Sequence, residues 1–399
     1  ISNIITSVAP DTAVKVTLTS TADATVVYET TLTATEATAA YEIGGIAAGT
    51  YTLKVEVEGH EAVTATVTVA DTEVTQDVSV KAVFRIIAAS LSLQENISIN
   101  FKVNAAAFAE GSAYSNPYLI VTVNGEETKL DTWTVEAGTG RYVFKFNRIA
   151  PNMVGDAVEA VAYATTADGE IHSQTLNYGV KAYCQSQLKK NIADSFRTVI
   201  VDLLNYGAAA QNYTGYKTDD LANAFLQEDE YKSNLAYAST TLDLSSFNGI
   251  AKSDYETVDN PVVQMHGANL ALSDSVTIRY IVSVADVSDF EGLKIQISKA
   301  DGSYTWEYDA TDENVVEFYK EQSGRQRYYV KFKGLNATEM SDVIYLKFVD
   351  ANGNPVSNTL RYSIGCYAYS KQNDTATPGL AEMVKAMMKY GNAAQAWNG

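Results

Sequence analysis

The fold is decided by a segment near the middle of the chain that returns at its end. Residues 175–213 read TLNYGVKAYCQSQLKKNIADSFRTVIVDLLNYGAAAQNY, and residues 359–397 read TLRYSIGCYAYSKQNDTATPGLAEMVKAMMKYGNAAQAW. The two segments align at a constant offset of 184 positions without a gap. A repeat this long sets the architecture before any residue-level argument. The chain therefore contains one module written twice.

Shorter matches extend the repeat upstream. ASLSLQENISINFKV (89–103) corresponds to ANLALSDSVTIRYIV (268–282), and RYVFKF (141–146) corresponds to RYYVKF (327–332). Apolar and polar residues alternate in these stretches, which predicts strands, and we predict strands of the first copy at 89–103, 117–123, 141–147, 157–164 and 174–184. Farther on, apolar residues recur at the spacing of a helix, among them Leu203 and Leu204 with their counterparts Met387 and Met388, which we expect to be buried.

The first 82 residues form a different unit. Val14, Val16 and Leu18 alternate with polar residues as in a strand, and residues 41–57 read YEIGGIAAGTYTLKVEV. This stretch resembles the turn and strand of the carboxypeptidase-regulatory-like, prealbumin-type β-sandwich. Gram-positive pilin modules of similar topology carry a Lys–Asn/Asp cross-link catalysed by a buried Glu. That Glu stands four residues after the Tyr of the motif, a position that Val55 occupies here, and Lys15 falls on the outward side of its strand. We therefore expect a plain spacer domain without the cross-link.

Together these patterns predict a mainly β chain with a few helices. We expect an N-terminal prealbumin-like β-sandwich (1–82), followed by two tandem homologous β-sandwich-plus-helix modules (83–216 and 261–399). A polar linker (217–260) should separate the two modules, because such a connector is long for one compact domain. Cys184 and Cys366 are expected to be free thiols in small core positions, with an inter-domain disulfide as the alternative.

The repeat resembles a module of secreted, cell-surface proteins of gut and rumen clostridia. The resemblance is carried by SLSL (90–93), ISINF (97–101) and NYGAAAQ (205–211), patterns that recur there beside dockerins and regulatory-like β domains. Starch-adherence proteins of ruminococcal amylosomes are similar in kind. The resemblance implies an extracellular location on a bacterial surface rather than a particular activity.

Composition and motifs narrow the function classes. A net charge of −19 argues against nucleic acid and anionic lipid as partners, and no apolar run is long enough to span a membrane. The three histidines have no ligand-spaced neighbours, and no nucleotide-binding or nucleophile motif occurs. We therefore expect no cofactor, no structural metal and no catalysis. The acidic stretch from Asp309 to Glu317 leaves two alternatives to a solvated loop, a paired-carboxylate glycosidase and a calcium site.

One constellation favours ligand binding. Tyr304, Trp306 and Tyr308 fall at positions i, i+2 and i+4 of a strand, so their rings share one face. A stripe of flat rings matches the apolar C–H faces of a linear glycan, and the first copy has no such rings at the corresponding segment. The alternative is that this face packs into the core. Tyr319 and Trp133, which precede the RYxxKF strands, are weaker candidates.

Three hypotheses remain at this point. The first is a non-catalytic surface protein that adheres to a polysaccharide, with a starch-like glycan as the first guess. The second is a structural scaffold or filament subunit of β modules, whose partners are other surface proteins or copies of itself. The third is an enzyme of unrecognised type.

Overall fold

The computed structural model describes residues 1–6, 8, 13–34, 38–57, 60–81, 84–93, 96–104, 108, 114–272, 276–300 and 304–397, with the backbone alone at Tyr304 and Thr305. The architecture is mainly β with a few helices, as predicted. The chain divides into two compact units. The first holds residues 1–90, 99–146 and 157–178, and the second holds residues 91–98, 147–156 and 179–399.

The N-terminal residues form two sheets around one core. Their strands are β1 (Ser2–Thr6), β2 (Ala13–Ser20), β3 (Val27–Thr33), β4 (Thr38–Glu42), β5 (Gly49–Val57), β6 (Val63–Val69) and β7 (Val78–Ser79). The sheet orders are β4-β1-β7 and β3-β2-β5-β6, and alternate residues of both sheets meet in the core, as Ile5 and Leu53 illustrate. Lys15 points outward and pairs with Glu29 at 2.9 Å, while Val55 is fully buried. The expected outward position of Lys15 is confirmed.

The first copy of the repeat also forms two sheets. Its strands are β8 (Ile86–Ser92), β9 (Ser98–Val103), β10 (Ser115–Val123), β11 (Glu126–Leu130), β12 (Thr134–Val135), β13 (Tyr142–Phe146), β14 (Val158–Thr166), β15 (Gly169–His172) and β16 (Leu176–Tyr178). One sheet has the order β11-β10-β14-β15, with β16 also on β14, and the other has the order β12-β13-β9-β8.

The second copy repeats this topology. Its strands are β17 (Lys252–Glu256), β18 (Gln264–Ala271), β19 (Thr277–Val284), β20 (Lys294–Lys299), β21 (Tyr304–Asp309), β22 (Val316–Gln322), β23 (Arg325–Phe332), β24 (Ile344–Val349) and β25 (Thr359–Tyr362), in sheets β17-β25-β24-β20-β21 and β18-β19-β23-β22. A buried serine marks the same place in both copies. The Ser173 hydroxyl accepts the Ala162 N–H at 3.0 Å, and the Ser357 hydroxyl accepts the Phe348 N–H at 2.8 Å.

Each copy ends in two helices. They are α1 (Val180–Leu188), α2 (Asp194–Thr214), α3 (Ile364–Lys371) and α4 (Leu380–Trp397). The strand predicted at 174–184 is therefore wrong beyond Tyr178, because residues from Val180 onward are helical. Both cysteines lie in these short helices, buried and free. The predicted apolar face of the long helices is confirmed, with Leu203, Leu204, Met387 and Met388 fully buried.

The two long helices pack against each other in an antiparallel pair. Tyr206 and Tyr390, which occupy equivalent positions in the two copies, stack with ring centroids 6.0 Å apart. Phe196 at the start of α2 stacks on Trp397 at the end of α4, at 4.6 Å. Equivalent residues thus meet at the centre of the pair, as they do at a two-fold axis between identical subunits. The sequence predicted the helices but not this contact.

The predicted linker is structured. It contains the 3-10 turns Ala224–Gln227, Lys232–Tyr237 and Ser245–Phe247 and the strand β17, which joins the second copy's sheet beside β25. Polar residues of α2 hold this segment, since Gln211 accepts the Ala222 N–H at 2.8 Å and Asp202 accepts the Ser239 N–H at 3.0 Å. The polar residues of α2 thus form hydrogen bonds with this segment, which is packed against the helix rather than a solvated connector. The domain boundaries themselves stay a prediction.

Candidate functional site

The five-stranded sheet of the second copy separates two kinds of residue. Its inner positions are apolar and fully buried: Ile295, Ile297, Leu346 and Phe348. Its outer positions bear polar and aromatic side chains around a groove of about 290 Å³. We call this surface the sheet groove, and it is lined by Tyr255, Glu256, Gln296, Ser298, Lys299, Ala300, Tyr345, Lys347 and Thr359. Successive side chains of a strand point to opposite faces of its sheet, which accounts for the alternation of inner and outer residues along β20 and β24.

A row of five polar side chains crosses the sheet groove. Strand register sets Gln296 opposite both Glu307 and Lys347, and it sets Glu256 opposite Thr359. Leu346 pairs with Leu360, which brings Lys347 and Thr359 next to each other in line. The Gln296 amide donates to Glu307 at 3.2 Å, and the Thr359 hydroxyl donates to Glu256 at 2.8 Å. Each end of the row is therefore held by a hydrogen bond.

Two tyrosines flank this row. The rings of Tyr255 and Tyr345 lie 5.1 Å apart, tilted by 52°, and Tyr255 is 42% exposed. The pairing of β17 with β25 is irregular between Lys252 and Glu256, and such irregularities re-aim side chains. Burial, followed by the neighbouring Tyr255, raises the pKa of the Tyr345 hydroxyl, so it is neutral at physiological pH. The pair presents ring surface together with two phenol hydroxyls.

Arg361 contacts one ring of the tyrosine pair. Its guanidinium lies 4.6 Å from the centroid of the Tyr255 ring, a cation–π contact. Its Nε donates to the Ile250 carbonyl at 2.8 Å, and its Nη2 donates to the Gly249 carbonyl at 3.1 Å. These bonds hold the guanidinium in place, so that it covers one face of the Tyr255 ring. The opposite ring face accounts for the exposure of Tyr255.

The predicted aromatic stripe faces the other way. Trp306 pairs with Ile297 and Tyr308 pairs with Ile295, both on the buried side of the sheet. The Trp306 indole is half-buried and meets the Phe332 ring edge-on at 4.8 Å. The expectation of an exposed stripe at these two positions is therefore wrong, because the strand turns its aromatic side to the interior and Glu307 and Asp309 outward. The side chain of Tyr304 lies outside the described residues.

The two weaker candidates each pack on a tyrosine of their own copy. Tyr319, 40% exposed on the edge strand β22, packs on Tyr329 with ring centroids 4.3 Å apart. Trp133, 39% exposed before β12, stacks on Tyr142 at 5.3 Å. Neither belongs to the sheet groove. Within the second copy, Tyr319 lies on a different sheet from Trp306 and Tyr308.

The acidic stretch after β21 is organised by its own turns. Asp309 accepts hydrogen bonds from the backbone and hydroxyl of Thr311, at 3.1 and 2.7 Å, and Asp312 accepts from the Asn314 backbone at 2.9 Å. The Thr311 bonds, followed by Lys294, lower the pKa of Asp309 to about 2. Within the described ranges, no group of three or more His, Cys, Asp or Glu residues is placed to hold a metal ion.

One serine–histidine contact lies in the sheet that contains β18 and β19. His266 Nε2 lies 2.9 Å from the Ser283 hydroxyl, which also accepts from Arg325 Nε at 3.2 Å. Ser283 is only 1% exposed, so a substrate carbonyl cannot reach its oxygen. Burial and then the charges of Arg327 and Arg325 lower the pKa of His266. The contact is a packing feature of the sheet.

The first copy lacks the groove residues. In its sheet Glu159 pairs with Asn177, at the positions that Tyr345 and Arg361 occupy in the second copy. The Arg361–Asn177 difference is visible in the gapless alignment of the repeat. The Tyr345–Glu159 difference is not, because the loop that follows this strand has a different length in the two copies. A comparison by strand register would have found both.

Residues 37–82 match the PEGA domain. This is a β domain of surface and periplasmic proteins, and the match includes all of the stretch 41–57 that resembles the carboxypeptidase-regulatory-like sandwich. The chain is accordingly a surface-associated β-domain protein. No helix among the described residues is long and apolar enough to cross a membrane. No curated protein matches the chain. The clostridial resemblance of the repeat stays a prediction.

Solved structures with some similarity to the chain include proteins from chicken and from Bacteroides ovatus. The FN1–FN3 domains of chicken CNTN1 are 12% identical over 43% of this chain and 56% of that one, with a TM-score of 0.18. A DUF3823 family protein from Bacteroides ovatus is 14% identical over 45% of this chain and 98% of that one, with a TM-score of 0.19. We draw nothing on function from similarities this low.

Proposed function

We propose that this protein is a non-catalytic bacterial surface protein that adheres to a polysaccharide through the sheet groove of its second repeat copy. The single observation that supports the proposal is the Tyr255–Tyr345 pair beside a row of hydrogen-bonding side chains on an outward sheet face. Sugar rings offer apolar C–H faces together with hydroxyls. A site that combines flat rings with placed polar groups fits both requirements.

The geometry favours a shallow, repeated contact over a deep pocket. The groove lies open along one sheet face and runs across four of the five strands, β17, β25, β24 and β20, so an extended chain of sugars has room to pass. Glu256, Gln296 and Thr359 supply acceptors and donors for sugar hydroxyls. Binding by one such site is weak, so adhesion would depend on many copies displayed on one surface. A starch-like glycan is the first polysaccharide to test.

Affinity electrophoresis tests the proposal. The full chain is run through native gels that contain soluble starch, xylan, mucin or pectin, and retardation is measured against a gel without glycan. We expect Tyr255→Ala and Tyr345→Ala each to weaken binding about 5- to 150-fold and to reduce retardation accordingly, because each removes about 1–3 kcal/mol of stacking, the range for nucleic acid bases on aromatic side chains.

The matched control for both variants is Tyr319→Ala. Tyr319 has nearly the same exposure as Tyr255, 40% against 42%, but lies on the other sheet. If Tyr319→Ala reduces retardation as much as Tyr255→Ala does, the sheet groove is not the site. A wild-type chain that no polysaccharide retards would contradict adhesion itself.

A second candidate function is a structural scaffold. The edge strand β22 exposes Phe318 at 56%, and the corresponding edge strand β12 exposes Val135 at 63%. Exposed apolar residues on an edge strand are a template for pairing with another chain. Under this hypothesis the chain sediments as larger species with rising concentration, and Phe318→Lys returns it to a monomer. A wild-type chain that stays monomeric at about 100 µM contradicts it.

A further inference from the structure

The sheet groove contains an ammonium group that pairs with no carboxylate of the described residues. Lys347 lies at the middle of the polar row, half-buried between Gln296 and Thr359. Other lysines of the same module have acidic partners: Lys294 with Asp309 at 3.2 Å, Lys299 with Glu339 at 2.5 Å and Asp342 at 3.0 Å, and Lys331 with Glu317 at 3.1 Å. In the part of the chain that the structure describes, Lys347 forms no ion pair.

The carboxylates nearest to Lys347 along the row are engaged by its neutral members. Glu307 accepts from the Gln296 amide, and Glu256 accepts from the Thr359 hydroxyl. Arg361, one step away on the neighbouring strand, donates to two backbone carbonyls and to no carboxylate that the structure describes. Lys347 therefore lines the groove without a carboxylate partner among the described residues, in a chain of net charge −19.

We propose that the polysaccharide bound in the sheet groove is acidic, with Lys347 binding the carboxylate of a uronic acid unit and Tyr255 contacting the sugar ring. This inference rests on the proposed function and names its ligand class. An ammonium–carboxylate hydrogen bond is about twice as strong as a neutral one, so an acidic sugar gains an interaction that a neutral sugar lacks.

The acidic surface of the rest of the chain does not oppose this contact under physiological conditions. At 0.15 M salt the Debye length is about 8 Å, so charges farther from the groove are largely screened. A direct contact at Lys347 is shorter than that distance and is partly shielded from solvent. The net charge of −19 would instead slow the approach of a polyanion at low salt.

Paired polysaccharides test the inference on the full chain. The probes are polygalacturonic acid and alginate in affinity gels at 0.15 M salt. Each is used in its unesterified form, here called the free acid, whose carboxylates are ionised at neutral pH, and again after methyl esterification of those carboxylates. We expect retardation by at least one free acid to exceed that by its ester about tenfold. Lys347→Met should abolish this difference, and Lys347→Arg should keep most of it. Lys294→Met, on the same face but paired with Asp309, should leave it unchanged.

The outcomes separate the two proposals. Equal retardation by acid and ester, unaffected by Lys347→Met, overturns the acidic-ligand inference and leaves adhesion standing. An equal effect of Lys294→Met and Lys347→Met also overturns it, because general charge would then explain the binding. Retardation by dextran sulfate without retardation by either free acid overturns the carboxylate assignment. A chain that neither acidic nor neutral polysaccharides retard contradicts the proposed function itself.

Discussion

At the scale of single residues, Trp306 shows how a strand decides the role of an aromatic ring. Its indole lies against Phe332, and a Cβ added at Gly334 would stand 3.0 Å from the ring. Both contacts come from its inward position opposite Ile297. A tryptophan held by packing on this side contributes to stability first and leaves little ring surface for a ligand.

We expect Trp306→Ala to lower the free energy of unfolding by about 1–3 kcal/mol, below the 3–5 kcal/mol typical of fully buried aromatic rings because the indole is only half-buried. Urea unfolding of the full chain measures the loss. Retardation by the polysaccharide should persist under conditions where the variant is folded. Unchanged stability with lost retardation would instead support the aromatic stripe as the binding surface.

The residues of the sheet groove could be predicted from the sequence only in part. The alternation in IYLKFV (344–349) already puts Tyr345 and Lys347 on one face, opposite Leu346. What the sequence cannot supply is the register that brings Tyr255, 90 positions earlier, beside Tyr345. That contact depends on β17 pairing with β25 across the whole module.

At the scale of elements, the long helices show which patterns are reliable. Helical spacing correctly identified the buried face of α2 and α4. It could not reveal that these faces include a helix–helix contact, since apolar residues pack equally well on a sheet. The short helix α1 was missed because VKAYC alternates apolar and polar residues like the strand before it. Gly179, in extended conformation at its start, marks the change.

Gly207 offers a test of the packing around α2. A Cβ there would lie 3.0 Å from Val154 Cβ and 3.1 Å from Ala222 Cβ, both on stiff neighbours. Gly207→Ala should therefore lower the free energy of unfolding by up to about 2 kcal/mol, since overpacking costs about 1–3 kcal/mol and the gain in helix propensity returns about 1 kcal/mol.

The equivalent Gly391→Ala serves as the comparison, with thermal or urea unfolding as the measurement. The nearest side-chain atom there is the Met340 sulfur at 3.0 Å, and a methionine moves aside more readily than a Cβ. We expect Gly391→Ala to lower the free energy of unfolding by less than Gly207→Ala does. Some loss should remain, because the added Cβ would lie 3.1 Å from the Ala337 carbonyl oxygen, which belongs to the backbone. A Gly207→Ala variant more stable than wild type would show that the contacts around α2 are looser than described.

At the scale of the whole molecule, the repeat was readable from the sequence, and the strand orders of the two copies agree with it except at β15 and β17, each of which occurs in one copy. The polar composition of residues 217–260 predicts a linker, and in the structure this segment supplies β17 and with it Tyr255 and Glu256. The second copy thus gains an edge strand that completes its groove. Composition could not distinguish an edge strand with polar neighbours from a loop.

Calorimetric titration of the full chain tests the central claim most directly. The titrant is an oligosaccharide mixture from whichever polysaccharide retards the wild type, and the double variant Tyr255→Ala/Tyr345→Ala is compared with wild type and with Tyr319→Ala. The account predicts binding heat for wild type and Tyr319→Ala, and none for the double variant, with all three chains equally resistant to urea. Undiminished binding by a folded double variant would contradict the sheet groove as the site of adhesion.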